Sequence, residues 1–414
     1  MKVLTVVRRT LLAIFGVQIL LAVILTLVDS YRRRGKKAKP FPVAPPRTVA
    51  VGSGEVTIYT SGVDLYSDML AAIRGAHRQV LLETYIWKGD HVGEEFKRAI
   101  IEAADRGVDV HVIYDSFANL VVSPRFKRFP PGVKVLAYPV YAAGWRFFDL
   151  SRYGRDHRKI LVVDDEVAFV GGYNIGDPYA TEWRDTHARI TGPAVSDLKR
   201  AFADFWNLNR TKRFQMPRNR VQPLLTGTSS TWEPQIRVQR NVPRLWMFPI
   251  RSMYLEAIAK AERNVWLTHA YFIPDENFVE ALTDAAQRGV DVRLLLPAKS
   301  NHIVADWISR GYFMPMLTAG VRILRYSGTM VHAKTATIDG SWSTIGTANV
   351  DRLSMTGNYE INLEVIDADF AEAMEEIFAT DETNSDELHV AEWRQRDVYR
   401  RFTEAFLNPL RHLL

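Results

Sequence analysis

Two parts of the chain alternate between a helical and a strand pattern of apolar positions. In LYSDMLAAIRGAHRQVLLETYIW (65–87) and FKRAIIEAADRGVDVHVIYD (96–115), apolar residues recur every three or four positions and then give way to short Val, Leu and Ile runs. Segments 254–272 and 278–297 repeat the same succession. The first spacing is typical of an amphipathic helix and the short run of a buried strand. Each part is therefore predicted to fold as helix, strand, helix, strand.

The pentapeptide RGVDV occurs in both parts, at 106–110 and 288–292. In each copy a glycine ends a predicted helix and a β-branched strand begins. One copy is a common helix-to-strand joint, but each copy is also followed by a His-x-Lys segment. The matching order indicates an internal duplication, and the predicted fold is α/β, with two similar lobes of mixed sheets flanked by helices.

The flanking segments differ from the duplicated parts in composition. A Pro-rich stretch, AKPFPVAPPRTVA, is typical of an extended spacer, and the segment between the two parts has no periodicity. The predicted organisation is a membrane anchor with its basic flank at 1–40, a spacer at 41–54, a first lobe at 55–210, a linker at 211–235, a second lobe at 236–380 and a C-terminal helical region at 381–414.

An apolar run, TLLAIFGVQILLAVILTLV, extends from Thr10 to Val28 near the amino terminus. At about 1.5 Å per residue it would span about 28 Å as a helix, close to the thickness of a bilayer core. No small-x-small cleavage site follows it, which favours an uncleaved single-pass anchor in the cell membrane over a signal peptide. Three basic residues precede the run and six follow it within residues 1–40, so the body is predicted to be cytoplasmic.

Charge and composition narrow the choice of function. The net charge is +6, but residues 1–40 hold nine Lys or Arg and one acidic residue, so the rest of the chain is slightly acidic. The basic charge thus belongs to the tail, and a nucleic-acid-binding body is not indicated. The chain has no cysteine, which excludes a disulfide framework, a thiolate nucleophile and a Cys-zinc site.

The segments HRKILVVDDEVAFVGGYN (157–174) and HAKTATIDGSWSTIGTAN (332–349) carry His, Lys, Asp, Gly and Asn at the same offsets. Because side chains alternate along a strand, the histidine and the lysine of each segment share one face. A single His-x-Lys on a strand is usually a solvated edge. Two copies that keep every offset favour a shared site instead.

Two His/Lys pairs that face each other could carry out phosphoryl transfer. A neutral imidazole is a nucleophile near pH 7, and a second imidazole can move a proton to or from an oxygen. Two lysines and two asparagine amides can stabilise the oxygens of a phosphoryl group in transfer. The glycines of the two turns would let the backbone approach the phosphate closely. The lysines take the part of a cation, so neither a metal nor another cofactor is expected.

Two carboxylates are candidates to orient the histidines. Asp185 follows Asn174 at the same distance as Glu360 follows Asn349. A carboxylate bonded to one ring nitrogen fixes the tautomer of an imidazole. The spacing leaves open whether each carboxylate serves its own half or the other half. The aspartates within the motifs fall on the opposite strand face, about 23 Å from the histidine, which favours a structural task for them.

The two motifs resemble the twin HKD motifs of the phospholipase D superfamily, and EWRDTHARITGPAV (182–195) and NYEINLEVID (358–367) resemble its bacterial cardiolipin synthase branch. The resemblance implies a duplicated phospholipase D-like fold and a ping-pong phosphatidyl transfer through a phosphohistidine. Carried over, His157 attacks phosphorus, and His332 protonates the departing glycerol and deprotonates the incoming hydroxyl. The predicted site set is His157, Lys159, Asp164, Asn174, Asp185, His332, Lys334, Asp339, Asn349 and Glu360.

The expected function is a membrane-bound transferase that makes cardiolipin and glycerol from two phosphatidylglycerol molecules. Its expected partners are the phospholipid substrate and the membrane, and no nucleic acid. A phospholipase D-type hydrolase that uses water as acceptor satisfies the same motifs. A superfamily nuclease and an inactive membrane scaffold are less favoured, the first because the body is not basic and the second because both motif sets are complete.

Overall fold

The structure is a computed structural model that describes residues 2–33, 39–141, 153–210, 223–224, 233–407 and 409. The predicted linker at 211–235 lies mostly outside these residues. Within them, the chain builds two lobes, each around one large mixed sheet.

The first lobe is built on an eight-stranded sheet with strand order β1-β2-β9-β7-β6-β3-β4-β5. Strands β3, β4 and β5 run parallel, and the neighbouring pairs from β1 to β3 are antiparallel. The strands are β1 (Arg47–Val51), β2 (Gly54–Tyr59), β3 (Gln79–Thr84), β4 (Asp109–Asp115), β5 (Val133–Tyr138), β6 (Ile160–Val163), β7 (Val167–Gly171), the separate short β8 (Trp183–Arg184), and β9 (His187–Thr191).

The second lobe repeats the design with the order β10-β17-β16-β15-β11-β12-β13-β18, in which β11, β12 and β13 are parallel. Its strands are β10 (Ile236–Asn241), β11 (Asn264–His269), β12 (Asp291–Pro297), β13 (Arg322–Tyr326), the separate short β14 (Met330–Val331), β15 (Lys334–Ile338), β16 (Trp342–Gly346), β17 (Glu360–Ile366) and β18 (Ser385–Leu388).

The helices cover the sheets at places that correspond in the two lobes. In both lobes the helix before an RGVDV joint begins at an aspartate N-cap, Asp90 or Asp275, whose side chain accepts a backbone N–H. The helices are α1 (Lys2–Arg33), α2 (Gly62–Arg74), α3 (His91–Asp105), α4 (Asp177–Thr181), α5 (Val195–Asn209), α6 (Pro249–Lys260), α7 (Glu276–Gln287), α8 (Ile303–Ser309), α9 (Phe313–Ala319), α10 (Arg352–Thr356), α11 (Ala368–Glu382), α12 (Val390–Arg394) and α13 (Val398–Leu407). The predicted α/β fold of two similar lobes with mixed sheets is confirmed.

One apolar core joins the two lobes. Val170 and Ile190 of the first sheet belong to the same buried cluster as Ile361 and Leu363 of the second. The outer faces of the sheets are covered separately, by α2 and α3 in the first lobe and by α6, α7 and α9 in the second. The sheets therefore pack against each other, which brings their equivalent strand ends together.

Two predicted segments differ from the observed elements. Strand β1 lies within the predicted spacer at 41–54. It forms a strand there because it pairs with β2 and buries Val49 and Val51. Strand β18 lies within the predicted helical region at 381–414 and extends the second sheet by pairing with β13. In both cases a strand at the sheet edge is held by tertiary pairing, which a short sequence pattern does not reveal.

Helix α1 lies against α8 of the second lobe and α13 near the carboxyl terminus. Leu21 and Leu25 pack beside Ile308 and Leu407. The side-chain amide of Gln18 donates to the backbone oxygen of Phe406 at 2.8 Å. Among the described residues, no helix combines the length and the apolar character needed to cross a bilayer. The predicted transmembrane segment at 10–28 stays a prediction.

Two short parallel backbone pairings connect the lobes at their centre. Strand β14 pairs with β8, and the backbone N–H of His332 donates to the oxygen of Arg184 at 2.6 Å. The second pairing lies at Asp156 and Tyr359, where the N–H of His157 donates to the oxygen of Tyr359 at 3.0 Å. Each pairing links the start of one motif to a strand of the other lobe.

A buried ion pair reinforces the first of these connections. The guanidinium of Arg184 donates to both carboxylate oxygens of Asp381 at 2.9 and 2.7 Å. Both side chains are at least 97% buried. Such a bidentate pair fixes the direction of the segment that leads into Asp185.

We expect Asp381→Asn to destabilise the fold by about 3 kcal/mol or more, since it leaves the buried guanidinium of Arg184 without a counter-charge. Denaturant unfolding of the purified chain measures this change. Glu382→Gln is the matched control on the same helix, because its salt bridges with Arg293 and Arg322 are partly exposed and contribute about 1 kcal/mol or less. Equal effects of the two substitutions would contradict the expectation.

Candidate active site

Each motif histidine is bonded to a carboxylate of the other lobe. Nδ1 of His157 lies 3.0 and 3.1 Å from the two oxygens of Glu360. Nδ1 of His332 lies 2.6 Å from Oδ2 of Asp185. The pairing left open by the spacing is thus between opposite halves. An Nδ1–H that donates to a carboxylate leaves the Nε2 lone pair of the ring for chemistry.

The backbone pairings between the lobes explain this crossing. His157 bonds to the backbone of Tyr359, whose next residue is Glu360. His332 bonds to the backbone of Arg184, whose next residue is Asp185. Glu360 directly follows Tyr359, and Asp185 directly follows Arg184. Each backbone pairing therefore places a carboxylate next to the histidine of the other lobe.

The glycine turns make room for these carboxylates. A Cβ atom at Gly172 would lie 2.0 Å from Oδ1 of Asp185, which no real contact permits. The second motif has Thr347 at this place, and its hydroxyl donates to Oε2 of Glu360. The Gly-Gly turn thus lies against the shorter side chain, Asp185, and the Gly-Thr turn lies against the longer one, Glu360. We expected these turns to let the backbone approach a phosphate, which stays a prediction, and the structure shows that they accommodate the two carboxylates.

The motif lysines lie in the same buried space. Nζ of Lys159 donates to the backbone oxygen of His157 at 2.6 Å, and Lys334 bonds in the same way to His332. Burial lowers the pKa of Lys159 to about 7 and that of Lys334 to about 8. Burial destabilises both ammonium groups, and the charge of Lys334 further destabilises that of Lys159. A bound anion would stabilise both.

The surroundings of both histidines favour the neutral imidazole. Burial lowers the pKa of His157 well below its usual range and that of His332 to about 3, and the neighbouring lysines lower both further. Burial raises the pKa of Glu360 to about 7, against the opposing effect of Lys159. At Asp185, by contrast, His332 and Lys334 outweigh burial and hold the pKa below its ordinary value.

The two motif asparagines complete the set around the histidines. Oδ1 of Asn174 accepts the backbone N–H of Ile86 at 3.1 Å, which leaves its amide hydrogens for another acceptor. Asn349 is also buried, and its Oδ1 has no hydrogen-bond partner among the described residues. A buried amide oxygen of this kind can accept a hydrogen bond from a donor group of a ligand, such as a hydroxyl.

Asp164 and Asp339 lie outside this arrangement. Both adopt a left-handed backbone in the hairpin turn, with φ of 55° and 54°. Each carboxylate accepts three successive backbone N–H groups at distances of 2.7–3.1 Å, from His77, Arg78 and Gln79 for the first, and from Glu262, Arg263 and Asn264 for the second. They tie the hairpin to the start of a central strand, so we assign them a structural task.

Aromatic side chains that the motifs do not contain line the site. The ring of Tyr85 lies 4.8 Å from that of His157, and the ring of Trp183 lies 5.1 Å from that of His332. Tyr271 lies 6.2 Å from His332 on another side. Sequence reasoning missed them because aromatic residues in strand segments are typical of a core. Their nearness to the ends of β3, β8 and β11 was the available signal.

The arrangement supports phosphoryl transfer by the chain's own side chains. It places two imidazoles, two lysines and two amides around one space, with an oriented tautomer at each ring. The described residues contain no group of three or more His, Cys, Asp or Glu side chains that could hold a metal ion.

Comparisons with known proteins agree with this geometry. The family model described as cardiolipin synthase, PLD-like domain, matches residues 69–206 and 254–382. The cardiolipin synthase of Clostridium perfringens strain SM101 is 30% identical over 372 residues, which cover 87% of this chain and 77% of that protein. That of Geobacillus kaustophilus is 31% identical over 367 residues, which cover 86% and 72%.

A solved structure shares the fold. The phosphatidylserine synthase of Haemophilus influenzae Rd KW20 superposes with a TM-score of 0.66 and covers 89% of this chain and 95% of its own. At 14% sequence identity, this likeness concerns the fold alone.

The buried lysines give a direct test of the site's electrostatics. With ¹³C at the lysine Cε atoms, we expect NMR to show Lys159 changing from cation to neutral amine near pH 7. Glu360→Gln should move this midpoint lower, because the carboxylate of Glu360 favours the ammonium form.

Glu256→Gln is the control, since it removes an exposed surface carboxylate and should leave the Lys159 titration unchanged. If Lys159 stays protonated above pH ~9, burial does not lower its pKa as expected. If Glu360→Gln leaves the titration midpoint unchanged, Glu360 does not stabilise the ammonium form.

Proposed function

The chain belongs to the family of cardiolipin synthase PLD-like domains, and we propose from this that it is a phosphatidyltransferase. In the proposed reaction, two phosphatidylglycerol molecules give one cardiolipin and one glycerol. The phospholipid substrate is a phosphodiester, the type of group that the paired lysines and histidines of the site can bind and activate.

The observation that carries this proposal is the bond from each histidine to the carboxylate of the other lobe. It orients two imidazoles towards one space, so that one can attack phosphorus while the other moves a proton. Two lysines lie in the same space and can take the charge of the phosphoryl oxygens. The burial of these charged groups is energetically unfavourable, and a scaffold without catalysis would gain nothing from it.

In the first step, Nε2 of His157 attacks the phosphorus of one phosphatidylglycerol. The bond from phosphorus to the glycerol oxygen breaks, and His332 gives its proton to that oxygen. The products are free glycerol and a phosphatidyl group bonded to His157. Asp185 favours the protonated state of His332 before the step, and the arriving phosphate adds a second negative charge that favours it.

In the second step, the free glycerol hydroxyl of another phosphatidylglycerol replaces the departed glycerol. His332 takes the hydroxyl proton, the oxygen attacks phosphorus, and the bond from phosphorus to His157 breaks. Cardiolipin leaves and the starting protonation of both rings is restored. Since the same bond type is broken and formed, the reaction needs no external energy source.

The choice of His157 as nucleophile is supported by its surroundings as well as by the family resemblance. Its side chain is 13% exposed against 6% for His332, so substrate phosphorus reaches it more readily. The shorter bond of His332, to the ionised Asp185, suits a ring that must hold a proton.

Membrane attachment through the amino-terminal segment is part of the proposal. Helix α1 exposes Phe15, Leu20 and Leu27, and contact with lipid would remove this apolar surface from water. Attachment would also hold the site near its water-insoluble substrate. A single-pass anchor with a cytoplasmic body remains our prediction for its topology.

Incubation with labelled phosphatidylglycerol and separation of the lipid products tests the function. We expect labelled cardiolipin and an equal amount of released glycerol. Phosphatidic acid as the main product would instead indicate a hydrolase that uses water as acceptor. Unchanged lipid would indicate an inactive scaffold.

The shared site predicts a specific pattern among histidine variants. His157→Ala and His332→Ala should each reduce cardiolipin formation to background, and the double variant should be no worse, because the two rings act as one unit. Asp164→Asn is the comparison within the motif, and it should act through stability instead. Substantial turnover by either single variant would contradict a site shared between the lobes.

The covalent intermediate predicts which histidine is modified. In His332→Ala, a phosphatidyl ester with a leaving group that needs no proton should still react with His157. Mass spectrometry of peptides kept out of acid should then find phosphorus on the peptide that contains His157, and none in His157→Ala. Phosphorus on His332 in the His157→Ala protein would reverse the assignment and leave the two-histidine reaction standing.

A further inference from the structure

A small cavity opens beside the site at the carboxyl ends of β12 and β13. Its volume is about 100 Å³, and three arginines line it, Arg310, Arg325 and Arg396. In open α/β sheets, ligands bind in the crevice outside the carboxyl ends of the strands. The place of this cavity in the second lobe is therefore one where a ligand is expected.

The cavity has a positive charge balance. Its three guanidinium groups face two carboxylates, Asp306 and Glu404. Glu404 accepts from Arg396 at 2.7 and 2.8 Å. Burial lowers the pKa of Arg396, and Arg310 is among the cations that lower it further. The charges of Arg310 and Arg396 therefore repel each other, and an anion bound in the cavity would offset this repulsion.

The cavity adjoins the histidine that handles the acceptor's proton. Tyr271 lines the cavity, and its ring also lies 6.2 Å from that of His332. Tyr271 is thus a residue that the cavity and the surroundings of His332 share. An alcohol whose hydroxyl reaches His332 could place a second group, several bonds away, in the cavity.

The described residues at the equivalent strand ends of the first lobe differ in charge, because the arginine there, Arg155, is bonded to the buried carboxylate of Asp115. In β13, Arg325 pairs with the residue before Pro297, and in β5, Ala137 pairs with the residue before Asp115. The second lobe therefore has an arginine where the first has an alanine, and a proline where the first has a buried carboxylate. Among the described residues of these two pairs of strands, the added arginine and the lost carboxylate make the side of His332 the more positive one.

Apolar surface beside the cavity indicates the kind of anion. Glu404 lies on α13, which also exposes Val398, Tyr399 and Phe402 to the outside. Helix α13 in turn borders α1 through the cluster that contains Leu407. A phosphate in a cationic cavity next to exposed apolar helices matches the two ends of a phospholipid.

We propose that the cavity lined by Arg310, Arg325 and Arg396 binds the phosphate of the acceptor phospholipid. This inference rests on the proposed function and extends it to the choice of acceptor. It makes an alcohol that carries an anionic phosphate the preferred acceptor over water or a small neutral alcohol. The phosphodiester that reacts lies between the histidines, and the phosphate that is retained lies in the cavity.

Competition between two acceptors tests this inference in vesicles of labelled phosphatidylglycerol with added ethanol. The unsubstituted chain should form both cardiolipin and phosphatidylethanol. Arg325→Ala copies the residue of the first lobe and should lower the ratio of cardiolipin to phosphatidylethanol about tenfold, the usual effect of losing a charge-assisted hydrogen bond. Phosphatidylethanol formation should stay within about twofold. Arg325→Lys keeps the charge and should recover most of the ratio.

Arg322→Ala is the matched control on the same strand, because this arginine pairs with Glu382 and Glu387 outside the cavity, and it should leave the ratio unchanged. Equal loss of both products in Arg325→Ala, or an unchanged ratio, would overturn the acceptor site. If this variant does not fold, Arg310→Gln provides the same comparison. A wild-type chain that transfers to neither acceptor would overturn the proposed function itself.

Discussion

The parallel backbone pairing between the lobes is the constraint on which the site depends. The hydrogen bonds from His157 to Tyr359 and from His332 to Arg184 set a register across the interface. A shift of one residue would turn the following carboxylate to the opposite face of its strand. The buried pair of Arg184 and Asp381 and the apolar core shared by both sheets hold this register. Stability and chemistry therefore depend on the same interface.

The site keeps charged groups under conditions that favour their neutral forms. Burial opposes the charge on both lysines and on Glu360. A phosphodiester is an anion, so its binding favours the ammonium forms of the two lysines, which can then stabilise the transition state. This preorganisation lowers the stability of the folded protein before substrate binds.

Much of this protein could be predicted from its sequence because the informative signals are local. The repeated periodicity, the RGVDV joints and the matched motif offsets each lie within a short segment, and they lead to the two α/β lobes and to the principal histidines and lysines. The partner of each carboxylate could not be found in this way, because it depends on pairing between segments far apart in sequence. The same holds for the edge strands β1 and β18 and for the aromatic rings around the histidines.

The duplication has a consequence for how the two halves can evolve. Two identical halves around a twofold axis would form the same crossed pairs, but every change would occur on both sides at once. Joined in one chain, the halves are free to diverge, and they differ in Gly172 against Thr347 and in Ala137 against Arg325. A symmetric ancestor could not distinguish its two ends. Fusion allows the two sides of the site to specialise, one for the donor of the transferred group and the other for its acceptor.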